Sequence, residues 1–142
     1  MATEKDKATD EDEIRELMDH FADAIRNKDL NGMISFCSAH IVWFDFMAPL
    51  QHVGADACFD WFEAPIGVEI RDLSITAGND VAFSHSLIHL NETFKNGQRL
   101  DFWMRGTTCF RKFNGRWMIT HEHLSIPFDL ETNKALWDLK PE

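Results

Sequence analysis

Asp45 follows an unbroken run of bulky apolar residues, Val42-Trp43-Phe44. A carboxylate delivered into apolar surroundings loses hydration, its pKa rises, and it can shuttle a proton near neutral pH. The competing reading is that Asp45 caps a turn at a strand end, where a short acidic side chain bonds the local backbone. The residues alone leave both open.

A second group lies toward the end of the chain. His121 and His123 alternate along one segment, and alternate residues of a strand point the same way. His85 and His89 share a face by the same rule. A metal needs a third and fourth converging ligand, and neither a Cys-rich pattern nor a His-Glu-x-x-His pattern supplies them, so no metal and no cofactor is expected. The reading is hydrogen bonding among His121, His123, Arg105 and Thr107, in a subunit interface or at a polar pocket wall. Arg105 could clamp a substrate carboxylate with its planar fork. It could also pair structurally with Glu122 or Asp101, and that is the stronger of its two readings.

Cys37, Cys58 and Cys109 are widely spaced, odd in number and set among apolar neighbours. They read as reduced, buried small hydrophobes, with no histidine nearby in sequence to activate one as a nucleophile. Tyrosine is absent, whereas phenylalanine occurs 12 times and tryptophan 5 times, which removes a common hydroxyl donor from any pocket.

These residues need a scaffold of modest size. With 142 residues, 44% of them hydrophobic, the chain forms one domain whose core needs no disulfide or structural metal. A net charge of −10 repels phosphate backbones and anionic lipid, so neither nucleic acid nor membrane is expected as a partner. The opening residues lack a signal-peptide core and no stretch has the apolar length of a membrane span, which predicts a cytoplasmic protein.

Residues 1–12 read as a polar, acidic, flexible tail ending at a capping box formed by Thr9 and Asp12. Ile14, Leu17, Met18, Phe21 and Ile25 then mark the apolar stripe of an amphipathic helix. Asp29 is placed to cap a second helix carrying Leu30, Met33, Ile34 and Cys37. Ile41 to Phe46 reads as a strand, and Ala55 to Ala64 as a third helix with Phe59 and Phe62 on one stripe. Strands follow over 68–76, 81–91, 99–113 and 116–126, separated by Gly78-Asn79-Asp80, Lys95-Asn96-Gly97 and Asn114-Gly115. Val68 and Ile70 have one parity and Leu73 and Ile75 the other, so a β-bulge is predicted near Arg71-Asp72. Strict alternation puts Trp117, Ile119, His121, His123 and Ser125 on one face of the last strand, with Glu122 and Leu124 on the other. In the strand before it, Asp101, Trp103, Arg105 and Thr107 oppose Phe102, Met104, Gly106, Thr108 and Phe110. The order predicts an α+β fold, helices covering one face of a curved antiparallel sheet.

The pattern Gly115-Arg-Trp117-x-Ile119-x-His121-x-His123-x-Ser125-x-Pro127, with Arg105-x-Thr107, Asp29-Leu30 and Gly54, resembles the nuclear transport factor 2-like superfamily. Within it the SnoaL-like, ketosteroid isomerase-related branch is similar, as is the association domain of calcium/calmodulin-dependent protein kinase II. The resemblance spans about residues 13–128. It implies a cone-shaped, cystatin-like α+β domain with a mixed sheet, helices on its concave face, a pocket between them and a homodimer. Asp45, nine positions before Gly54, is spaced like the catalytic aspartate of ketosteroid isomerases. Two positions depart from that family. Phe21 falls where it has a tyrosine, and Thr108, or its neighbour if the hairpin register slips, where it has a second acid. One lost oxyanion donor costs on the order of 3 kcal/mol of transition-state stabilisation. Steroid isomerisation by the familial route is therefore not expected.

The expected pocket is lined by Phe21, Trp43, Phe59, Phe62, Met104 and Thr108, and takes a small apolar molecule. Two functions follow: a proton-transfer enzyme of isomerase, cyclase or dehydratase type with Asp45 as general base, or a non-catalytic ligand-binding or oligomerisation domain in which Asp45 and the histidines are structural. Residues 129–142 carry regular apolar positions, and are expected to dock on the domain or on a partner subunit.

Overall fold

The computed structural model describes residues 3–55 and 66–142. The first helix, α1 (Glu4–Arg26), begins earlier than the Thr9–Asp12 pair predicts. The same spacing occurs at Thr3 and Asp6, and there the reciprocal bonds form: the Thr3 hydroxyl accepts from Asp6 N–H and the Asp6 carboxylate from Thr3 N–H, both at 3.1 Å. The segment expected to be a flexible tail is thus helical from Glu4 onward. Its attachment to the sheet gives the reason. Buried Asp10 accepts hydrogen bonds from Lys112 Nζ at 2.8 Å and Trp117 Nε1 at 3.0 Å, which holds the first turns of α1 against the strands.

Ile14, Leu17, Met18 and Phe21 are buried as the periodicity predicts, each contributing about 1.5–3 kcal/mol through apolar burial. After α1 the chain reverses and Asp29 caps α2 (Leu30–Ser35), its carboxylate accepting from Gly32 N–H at 3.0 Å. Cys37 is not in that helix. Ile119 N–H donates to Phe36 O at 2.8 Å, drawing the chain into the sheet, and Cys37 opens β1 (Cys37–Phe44). A return strand too short to carry periodicity, β2 (His52–Val53), pairs antiparallel with β1. All of the helix predicted over 55–64 except its first residue, Cys58, Phe59 and Phe62 included, lies outside the described residues.

The remaining long strands are β3 (Gly67–Ala77), β4 (Val81–Thr93), β5 (Arg99–Phe113) and β6 (Arg116–Ser125). Their order in the sheet is β2-β1-β6-β5-β4-β3, with only the β1–β6 pair parallel. Asn114 and Gly115 take φ of 50° and 80°, as a tight type I′ hairpin turn requires. The bulge near Arg71-Asp72 is present: pairing with β4 slips between Arg71 and Ser74, and Asp72 takes φ 57°. It lets Val68, Ile70, Leu73 and Ile75 all turn toward the core side despite their opposite parity.

A second bulge overturns the strict alternation predicted for β6. Cys109 pairs with His121 but Phe110 pairs with Ile119, so Thr120 is the extra residue. Trp117 and Ile119 are buried at 3% and 1%, whereas His121 and His123 come to the opposite face of the sheet. The fold is α+β, with α1 and α2 over a mixed, curved sheet and the core between them. Beyond β6 the chain makes a small hairpin, β7 (Phe128–Asp129) with β8 (Lys134–Ala135). Among the described residues no helix is long and apolar enough to cross a membrane.

Candidate functional site

Between the helices and the sheet lies a cavity of about 110 Å³. It is smaller than the engineered cavity of about 150 Å³ that holds one benzene ring. Phe21, Trp43, Met104 and Thr108 are among the residues that line it. Phe21 and Trp43, both bordering the cavity, hold their rings nearly parallel, with planes 16° apart and centroids 6.4 Å apart. The Trp43 indole N–H also donates to Gly54 O at 3.2 Å, pinning the far end of the loop that begins at Asp45.

Asp45 stands one residue past the end of β1 and borders the cavity. Burial pushes its carboxyl above the ordinary range. The Phe46 and Met47 N–H groups and nearby His52 pull the other way without cancelling that push. The Phe46 N–H donates to Asp45 Oδ1 at 2.7 Å, a bond between adjacent residues. A local backbone bond and a place at the edge of the cavity are two properties of one side chain.

The residue that sequence reasoning missed as a functional group is Glu122. The Thr120 bulge leaves it on the core side, across from Thr108 on β5 and beside Trp43 on β1. It lines the same cavity as Asp45. Burial, and then the negative charge of Asp45, push its carboxyl up to about 8, so it keeps its proton at neutral pH. The signal was present in the alternation, which already grouped Glu122 with Leu124, but His121 and His123 drew the chemical reading away from it. One apolar cavity is thus bordered by two carboxyl groups, both pushed upward by burial.

The predicted polar group divides. His121 Nδ1 lies 2.7 Å from Val42 O, so that nitrogen carries the hydrogen and donates. Phe44 packs edge-on against both His121 and His123, at 4.7 and 5.4 Å. Arg105 donates to Ser125 Oγ at 3.2 Å, a partner that replaces the predicted Glu122 or Asp101. Glu122 is turned to the other face and Asp101 is bonded to His89. Thr107 stands across from His123 on the outer face. His121, His123, Arg105 and Thr107 lie on the outer surface of the sheet and do not line the cavity. Among the described residues no group of His, Cys, Asp and Glu is arranged to hold a metal ion. Cys37 and Cys109 are free thiols; burial pushes Cys37 up to about 12, which makes it inert at neutral pH.

The family model described as "SnoaL-like domain" matches residues 14–129. A nuclear transport factor 2-like protein of unknown function from Pseudomonas putida KT2440 is 34% identical, covers 94% of this chain and 98% of its own, and superposes with a TM-score of 0.84. The association domain of C. elegans CaMKII shares the fold at 18% identity, covering 84% of this chain and 97% of its own, with a TM-score of 0.65. A ketosteroid isomerase-like protein from Erwinia carotovora atroseptica does so at 20% identity, covering 80% of this chain and 92% of its own, with a TM-score of 0.67. No curated protein matches the chain.

Proposed function

The chain belongs to the SnoaL-like family of the nuclear transport factor 2-like superfamily, and from that premise we propose that it binds a small apolar carbonyl compound in the cavity and moves a proton within it. Asp45 is the base that takes a proton from the carbon beside the carbonyl. Glu122, still protonated, donates a hydrogen bond to the oxygen on which negative charge develops. The proton then passes from Asp45 to another carbon, or to a hydroxyl one carbon further on whose C–O bond breaks to release water as the enolate collapses to an unsaturated carbonyl, so the chemistry is of isomerase or dehydratase type. The observation that carries this reading is that Asp45 and Glu122 border one apolar cavity. Glu122 supplies an acidic donor, which neither the Phe21 ring nor the Thr108 hydroxyl is.

The outer face of the sheet supports a homodimer. Val81 and Phe83 are exposed there at 50% and 48%, and Trp103, Arg105, His121 and His123 extend the same surface. Cys37 and Cys109, both free thiols among the described residues, fit a cytoplasmic protein. A purely associative role is the alternative reading, and the same outer face is what favours it.

The two readings separate in heavy water. Small cyclic ketones incubated with the protein in D₂O would exchange hydrogen for deuterium beside the carbonyl, read by mass spectrometry. We expect exchange above background, reduced at least about a hundredfold in Asp45→Asn and in Glu122→Gln. Exchange that no ketone shows, or that both variants retain, refutes the proton-transfer reading and leaves the associative one.

A further inference from the structure

Asp45 lies outside any strand, so the ladder does not fix where its carboxyl points. Its neighbour Phe46 is held differently. The Phe46 ring meets Phe102 of β5 edge-on at 5.2 Å, and Trp137, from the C-terminal segment, meets Phe102 at 4.8 Å and Phe46 at 6.4 Å. The three rings touch pairwise and close a triangle. Its base is rigid, because Phe102 is 2% exposed within the sheet. Its third corner arrives by a fixed path: Leu136 N–H donates to Pro127 O at 2.8 Å, which brings the chain back to the end of β6 just before Trp137. The Arg71 guanidinium donates to Glu142 O at 3.3 Å beyond it.

We propose that Trp137 is a positioning residue for Asp45: its ring clamps Phe46 against Phe102, and Phe46, through the bond from its N–H to Asp45 Oδ1, holds the carboxyl against the cavity. Edge-to-face contacts between large rings fix orientation as well as distance, which a loop without ladder bonds otherwise lacks. The inference rests on the site of the proposed reaction but not on the reaction taking place.

The test reads Asp45 directly. The protein labelled with ¹³C at aspartate carboxyls is titrated by NMR, with Asp45→Asn identifying the resonance. Trp137→Ala should lower the Asp45 midpoint toward the ordinary carboxylate value, because the loop opens to water. Trp137→Phe should keep it near wild type. The charged or titratable groups that line the cavity with Asp45, namely Glu122 from β6, His52 from β2 and Lys28 after α1, are unchanged in both variants. A midpoint unchanged in Trp137→Ala, with only the melting temperature lowered, overturns the proposal, as does a Trp137→Phe variant that behaves like the alanine. Trp137 is 43% exposed, so the alanine variant is expected to fold, which far-UV circular dichroism verifies. Ketone exchange distinguishes the two failures. Absent exchange with a shifted midpoint defeats the reaction alone, and normal exchange with an unshifted midpoint defeats the clamp alone.

Discussion

Glu122 stands directly across from Thr108 in the β5–β6 ladder, and the two face the cavity together. One step along the same strand His121 faces Cys109 on the outer side of the sheet. The single extra residue Thr120 decides which of these chemistries lies inside.

That placement makes stability depend on pH. In the fold Glu122 holds its proton up to about 8, and Glu92, buried in β4 where it accepts from Gly67 N–H at 2.7 Å, up to about 7, against an ordinary 4.5 when unfolded. Above 4.5 the folded chain binds more protons than the unfolded one, so stability falls as pH rises through each folded value. The melting temperature should decline between pH 5 and 8.5. Glu122→Gln should flatten the upper part of that decline and gain about 1 kcal/mol or more at pH 8.5 relative to wild type. A wild-type profile without slope in this window would contradict the buried, protonated Glu122.

The attachment of α1 follows opposite logic. Burial raises the Asp10 carboxyl, but the hydrogen bonds from Lys112 and Trp117 outweigh it and leave the group below its ordinary value. Its contribution is therefore present above about pH 4 and lost as the pH falls lower. Asp10→Ala should cost about 2 kcal/mol in urea unfolding at pH 7, since it strands the Trp117 N–H and the Lys112 ammonium. The difference from wild type should shrink in acid.

Deleting Thr120 takes out the extra residue and leaves a plain ladder: Ile119 stays opposite Phe110 and His121 opposite Cys109, so Glu122 and Leu124 keep their inward faces. The decline of the melting temperature toward pH 8.5 should therefore persist in the deletion variant. A deletion variant whose profile loses that slope would show that the ladder pairing does not place Glu122.

Assembly is checked at the outer face. Arg105→Glu, or Phe83→Lys on the neighbouring strand, should move sedimentation toward the monomer while leaving cavity binding intact. Sedimentation unchanged in both would place the subunit contact elsewhere.

Much of this molecule was legible beforehand. The apolar spacing of α1, the Asp29 cap, the β5 faces, the Asn114-Gly115 turn and the Asp72 bulge all followed from local rules, because each is set by neighbours within a few residues. So did Asp45 at the end of a strand and the apolar residues around it.

Two kinds of feature were not legible. The start of α1 depended on which of two equivalent capping spacings found a partner in the sheet, and Asp10 meets Lys112 and Trp117 only when the chain is folded. Equally, the inward turn of Glu122 depended on an extra residue in a ladder. Nothing in Trp117 to Ser125 distinguishes it from plain alternation, because the bulge is defined by pairing with β5 and not by β6 itself. Residue types settled which elements form; contacts between distant strands settled which acid shares the cavity with Asp45.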